Sequence, residues 1–92
     1  MYNTEPVDEQ FEELKKAAIE LWQTFDNRFG YVDEKVNAIK GIDNISDNFM
    51  FIVAMFDSRN QRRLAEKLSP ETRKSIRERM VDGGTYEDDT PF

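Results

Sequence analysis

The side chains in this sequence that could do chemistry are carboxylates, amines, guanidinium groups and phenols. Its 92 residues include no histidine and no cysteine, so imidazole bases, thiol nucleophiles, disulfides and thiolate zinc sites are excluded. Six acidic residues stand at helical spacings: Glu9, Glu12, Glu13, Glu20, Asp43 and Asp47. Carboxylates that converge in a cavity bind magnesium. We expect a solvated helix face instead, with supporting pairs such as Glu12 and Lys16.

The first acidic cluster also resembles a family motif. Glu9, Glu12 and Glu13 resemble the first of the two acidic motifs with which all-helical nucleotide pyrophosphohydrolases hold magnesium. No matching second motif follows on a later helix. We therefore predict that the protein is not an enzyme and that it has no metal site and no cofactor.

Apolar spacing predicts the elements that position these residues. Apolar side chains recur every three or four residues, as in amphipathic helices, and Gly41 interrupts one such stretch. Ser69 and Pro70 together are typical of a helix start. The pattern predicts helices with these approximate bounds: 5–29, 33–57 with a break or kink near Gly41, 59–68 and 70–81. We predict an all-α fold, a small bundle of three to four helices, with one domain over 1–82 and a flexible acidic tail over 83–92.

The run from Phe49 to Phe56 is apolar on every face of a helix. A helix of this kind has to be buried on all sides, either at the centre of the domain or between subunits. The run is far shorter than the roughly 20 residues of a membrane span, and we predict no contact with a membrane. If the protein is a homo-oligomer, the predicted interface is Phe49, Phe51, Ile52, Met55 and Phe56.

Charge is distributed in three blocks. Residues 1–58 carry 5 basic and 12 acidic side chains, residues 59–80 carry 8 and 3, and residues 81–92 carry 0 and 4. Seven residues of the second block are possible phosphate contacts: Arg59, Arg62, Arg63, Lys67, Arg73, Lys74 and Arg77. This basic block has no aromatic side chain on which a base could stack, so we expect at most weak, salt-sensitive nucleic-acid binding and favour a solvated face.

The last seven residues resemble the C-terminal tip of bacterial single-stranded-DNA-binding proteins, in which acids precede a hydrophobic residue, Pro and Phe. Asp88, Asp89, Pro91 and Phe92 match, while Thr90 stands where the family usually has an aliphatic residue. In that family the tip recruits replication and repair enzymes. The resemblance therefore implies a protein partner with an apolar pocket and a basic rim. It covers the tip alone, since the family's binding domain is an all-β barrel.

Two internal alternatives exist for this tail. Phe92 packs on its own domain, or the acidic tail folds over the basic block until a partner displaces it. The sequence favours neither over binding to a partner.

Three further hypotheses of function stand beside docking onto a replication or repair enzyme. In the first hypothesis, the protein is an acidic inhibitor or scaffold of phage type that imitates nucleic acid through residues 1–58. In the second hypothesis, the protein binds nucleic acid through the basic block. More remotely, the stretch from Lys35 to Lys40 is similar to phage proteins that sequester cyclic nucleotides, with Lys40 facing the ligand. The N-terminal residues do not resemble a secretory signal, so we predict a cytoplasmic protein.

Overall fold

The computed structural model of the chain describes residues 5–42, 48–87 and 89–92, and for residues 5–8 it describes the backbone. Within those ranges the chain forms five α-helices and one 3-10 turn, Arg28–Gly30, and has no strand. The α-helices are α1 Glu5–Trp22, α2 Tyr31–Lys40, α3 Asn48–Val53, α4 Ser58–Glu66 and α5 Pro70–Asp82. The predicted small all-α bundle is therefore confirmed.

Helix α1 lies at the centre of the bundle, because it contacts each of the other four α-helices. The buried residues of its predicted apolar stripe are Phe11, Leu14, Ala18, Leu21 and Trp22, and Ala17 beside them is buried as well. Leu and Ala favour the helix intrinsically, and burial of the stripe supplies most of its stability.

Helix α1 ends at Trp22, several residues before its predicted end near residue 29. The Thr24 hydroxyl donates to the Leu21 carbonyl at 2.7 Å, and the chain turns there. Phe25 continues the apolar spacing but packs its ring edge-on against Trp22, with centroids 5.1 Å apart. The apolar spacing therefore predicted correctly that Phe25 packs inward. The side chain is partly buried because the chain turns after α1, and not because the helix continues.

The predicted break near Gly41 is confirmed. Helix α2 ends at Lys40, and Gly41 closes it by donating its amide to the Asn37 carbonyl. The next described helix, α3, begins at Asn48. Asp43 and Asp47 lie outside the described residues.

The prediction that the apolar run is buried on all sides is wrong. Phe49, Ile52, Val53 and Phe56 are in the core, but Phe51 is 58% exposed. Helix α3 is only six residues long, so one side packs on α1 and α5 while the opposite side faces outward.

Helices α4 and α5 agree with the predicted bounds to within about two residues at each end. The Asp57 carboxylate accepts from the Asn60 amide at 2.9 Å and caps α4. Ser69 caps α5, and Pro70 occupies its first turn. Both helix starts can be predicted from the sequence, because a capping residue acts within one turn of its own position.

The prediction of a flexible tail over residues 83–92 does not hold for its last residue. Phe92 is 5% exposed and belongs to the hydrophobic core. The Arg77 guanidinium donates to the main-chain oxygen of Phe92 at 3.0 Å. Of the arrangements considered, packing of Phe92 on its own domain is the observed one.

Candidate functional site

The corner between α1 and α2 presents one aromatic side chain entirely to solvent. Phe29 is 100% exposed, whereas the other phenylalanines described in the structure are buried or partly buried, apart from Phe51. The backbone φ of Phe29 is +59°, in the left-handed region that bulky residues rarely adopt. A strained and fully exposed aromatic residue is a candidate binding element, since natural chains retain such costs mostly at functional positions.

Both flanks of Phe29 are held in place. The Asn27 side-chain oxygen accepts from the amides of Val32 at 2.8 Å and Asp33 at 3.1 Å. Its side-chain amide donates to the Asp33 carboxylate at 3.0 Å. On the other side of the corner, the Tyr31 ring contacts Trp22 edge-on at 5.8 Å. The corner is therefore preorganised, and Phe29 is not a side chain on a loose loop.

Exposed acids surround this corner and extend along α1 and α2. The exposed acidic residues of these elements and their connection are Glu9, Glu12, Glu20, Asp26, Asp33 and Glu34. Asp26 forms an ion pair with Arg28 at 3.0 Å, the one ion pair found within the ranges that the structure describes. Residues 9–40 carry 7 acidic and 5 basic side chains, with Arg28 and Lys35 near Phe29 in sequence, so the net charge of this stretch is -2.

Glu13 differs from its acidic neighbours because it is used inside the fold. It accepts hydrogen bonds from the Ser69 main-chain amide, from the Ser69 hydroxyl at 2.9 Å and from the buried Thr72 hydroxyl at 2.7 Å. Burial by itself raises the pKa of Glu13, but these hydrogen bonds and the charge of Arg73 outweigh it, so the pKa is lowered. Glu13 thus joins α1 to the start of α5 through hydrogen bonds to its carboxylate.

No group of three or more metal-ligating side chains converges anywhere in the described ranges. Glu9, Glu12 and Glu20 are exposed on α1, and Glu13 turns toward Ser69. The carboxylates of the first acidic cluster therefore do not share a cavity.

The basic block is divided by the fold into engaged and exposed side chains. Arg73 donates to the carbonyls of Ala65 at 3.1 Å and Leu68 at 2.8 Å and so closes the C-terminal end of α4. Arg77 holds Phe92. The fully exposed members of the predicted phosphate-contacting set are Arg59, Arg62, Arg63, Lys67 and Lys74.

Two further arginine contacts involve aromatic rings. The Arg63 guanidinium lies 5.8 Å from the Phe25 centroid, and that of Arg79 lies 4.0 Å from the Phe49 centroid. Sequence reasoning missed these contacts, because they join residues far apart in the chain.

The predicted tail residues lie in different environments. Phe92 is buried and Pro91 is partly buried, whereas Asp89 is exposed; Asp88 lies outside the described residues. Beneath this C-terminal segment is a cavity of about 400 Å³. Among the residues that line it are Met50, Val53, Arg62 and Met80 from the helices and Glu87, Asp89 and Pro91 from the segment. The structure thus brings one basic residue of the block to two acids of the segment.

The predicted oligomer interface is largely occupied by the core. Phe49, Ile52 and Phe56 are buried within the chain, and Met55 is partly buried. Phe51 alone of the five is largely exposed. That part of the prediction is corrected, because these side chains already pack against α1 and its neighbours.

Lys40 ends α2 with an exposed side chain, and its carbonyl accepts from the Lys15 ammonium at 3.4 Å. A shallow depression of about 330 Å³ between α1 and α2 is lined by Lys15, Lys16 and Lys40 and by Glu12 and Glu20. Three ammonium groups and two carboxylates therefore line this depression.

No described helix is both long enough and apolar enough to cross a membrane. No protein-family model matches the chain, and neither the curated proteins nor the solved structures give a significant match.

Proposed function

We propose that the protein is a non-enzymatic interaction protein that binds a partner protein through the acidic surface of residues 1–58, with Phe29 as the apolar anchor. The observation that carries this proposal is the complete exposure of Phe29 on a strained, hydrogen-bonded corner. It develops the inhibitor or scaffold hypothesis for residues 1–58.

The energetics favour a role for Phe29 outside the fold. The side chain contributes nothing to the core, and its left-handed backbone costs about 1–2 kcal/mol relative to the ordinary helical region. An aromatic residue on an ordered backbone is well suited to bind, because little backbone entropy is lost when its ring enters a pocket. Aromatic residues also dominate the binding energy of protein interfaces.

The acids around the corner indicate the chemistry of the partner. Asp26, Asp33 and Glu34 lie close to Phe29 in sequence and are exposed. Asp26 is paired with Arg28, so among the described residues Asp33 and Glu34 are the acids without an ion pair at this corner. A complementary partner has an apolar pocket for the ring and a basic rim for the acids. Such charges accelerate association and make it sensitive to salt.

A pull-down with the full chain tests this function. The wild type, Phe29→Ser and the control Phe51→Ser carry a tag at the N-terminus, since Phe92 is buried at the other end. We expect Phe29→Ser to lose a captured protein that Phe51→Ser retains, with at least roughly 30-fold weaker binding, as for an anchor residue worth about 2 kcal/mol. Binding of that protein weakens steeply as salt rises.

Equal capture of every protein by the wild type and Phe29→Ser would refute the proposal. Thermal unfolding of both variants separates binding from folding. Because the Phe29 side chain has no contact to lose, the Phe29→Ser chain should unfold at or above the wild-type temperature.

A second candidate is docking onto a DNA replication or repair enzyme through the C-terminal segment. The observation that favours it is chemical: Phe92 already occupies an apolar site and has an arginine on its main-chain oxygen, the two features expected of a partner pocket. Docking in this way requires that Phe92 first leave its own core.

This candidate predicts opposite effects of two changes on the capture of such an enzyme. Removing Pro91 and Phe92 abolishes capture of such an enzyme, whereas Arg77→Gln, which loosens the segment from its own domain, increases capture. Unchanged capture after the deletion would exclude this candidate and leave the role of Phe29 unaffected.

A further inference from the structure

The C-terminal segment is attached to the bundle mainly at its far end. Phe92 is in the core and is bonded to Arg77, while residues 83–87 and Asp89 are exposed. The amides of Thr85 and Tyr86 both donate to the Met80 carbonyl, at 2.8 and 3.2 Å. The segment therefore crosses the bundle as a strap fixed at α5 and at Phe92.

Two features make the strap separable from the bundle. It begins at Gly83 and Gly84, and Gly84 has a φ of +72°, which few other residues tolerate. The Thr90 hydroxyl is buried, and no partner for it is found within the described residues. A buried hydroxyl without a hydrogen bond weakens the docked state, and an aliphatic residue would avoid that cost.

We propose that the buried position of Phe92, together with Arg77, is a binding site for the acidic C-terminal peptide of another protein that ends in Pro and Phe. The chain's own strap is then the internal competitor for this site. The chemistry of the occupant is taken from the segment that already fills the site, including the acids Glu87 and Asp89, which line the same cavity as Arg62. This inference does not depend on Phe29 and goes beyond the proposed function.

The strap sets the conditions for binding. A short flexible linker gives an effective concentration in the millimolar range, so the strap occupies the site in the absence of a partner. A peptide in solution binds with an apparent affinity reduced by the fraction of chains whose site is free. The site is consequently accessible in chains whose strap is absent, modified or held by a partner.

Fluorescence polarisation of a labelled peptide with the sequence of residues 85–92 tests the site on the full chain. We expect the peptide to bind Phe92→Ala and to bind the wild type at least about tenfold more weakly, because only the wild-type strap competes. A peptide with Ala in place of its last Phe should not bind. A peptide that carries Thr90→Val should bind more tightly, and Arg77→Gln in the Phe92→Ala chain should weaken binding.

Each outcome decides the proposal. No binding to a folded Phe92→Ala chain at peptide concentrations up to about 1 mM, the limit of weak affinity, overturns it. If Phe92→Ala is unfolded, circular dichroism replaces polarisation: recovery of the helical signal with the peptide supports the site, and no recovery overturns it. A wild-type dimer at micromolar concentration that Phe92→Ala abolishes makes a second copy the occupant and overturns the assignment to another protein.

Discussion

Glu13→Gln removes one negative charge at the contact between α1 and α5 and preserves the shape of the side chain. The carboxylate accepts from the Ser69 amide and from the hydroxyls of Ser69 and Thr72. The amide group of Gln has one accepting oxygen and one donating nitrogen. If its nitrogen faces the Ser69 main-chain amide, that donor is left without a partner. If its nitrogen faces the hydroxyls of Ser69 and Thr72, these accept from it but lose their charged acceptor.

The magnitude follows from these contacts. A hydrogen bond to a charged group contributes about 1.5–3 kcal/mol, and a buried donor left unpaired costs about 1–3 kcal/mol. Because Glu13 is only partly buried and the substitution retains at least one bond, we expect the free energy of unfolding to fall by about 2 kcal/mol at pH 7. For a domain of this size, that corresponds to a decrease of about 8–16 °C in Tm.

The pH dependence gives a second, independent measurement. The pKa of Glu13 is lowered in the folded chain relative to its ordinary value of 4.5. The stabilisation is therefore fully present above that value and is lost as the pH falls through the folded-state pKa. Since Gln does not titrate, the difference between the wild type and Glu13→Gln should be constant above about pH 5 and should shrink below about pH 4.

Urea unfolding followed by the fluorescence of Trp22 provides the assay, because Trp22 is the one tryptophan of the chain and is buried. Glu12→Gln is the matched control, since Glu12 is exposed beside Glu13 on α1, and its effect should stay within about 0.5 kcal/mol. A loss below about 0.5 kcal/mol for Glu13→Gln, or an equal loss at pH 3 and pH 7, would refute the reasoning.

Two further changes test the packing of the corner and of the chain's end. Asn27→Ala removes the oxygen that accepts from the first turn of α2 and should lower the free energy of unfolding by about 1–2 kcal/mol, as loss of a helix cap does; a urea titration that shows no change contradicts this. Phe92→Ala removes a buried ring and should cost about 3 kcal/mol, the lower end for such truncations, because the ring is at the end of a lightly attached strap. A calorimetric Tm equal to that of the wild type would mean that Phe92 is not part of the stable core.

Local signals made the helices predictable. Asp57, Ser69 and Pro70 act within one turn of their own positions, and Gly41 weakens the helix in which it stands, so each could be read without knowledge of any neighbour. The stripe on α1 was readable because period and burial are linked along one helix. The predicted end of α1 was wrong because Phe25 satisfies the same burial by turning back onto Trp22.

The candidate sites were less predictable, because their residues are joined across the chain. Phe29 lies four residues after Phe25 and continues the apolar spacing of α1, which predicts burial, and no feature of its own position indicates that it is exposed. Glu13 belonged to an acidic cluster, and its contact with Ser69 and Thr72 depends on how α5 packs. The basic block contained arginines whose contacts, such as that of Arg77 with Phe92, could not be known from charge alone.

The sequence by itself determined the all-α class, the starts of α4 and α5 to within about one residue, the break at Gly41 and the exclusion of imidazole and thiol chemistry. These follow from residue types and from interactions within a few positions of the chain. The tertiary structure alone decided how residues of the same type differ in their surroundings. Phe29 is exposed to solvent whereas Phe92 is buried in the core. The Glu13 carboxylate is hydrogen-bonded to Ser69 and Thr72, whereas Glu12 is exposed. The physical reason is that burial and hydrogen bonding depend on which helices meet, and helices that are distant in sequence meet only after the chain has folded.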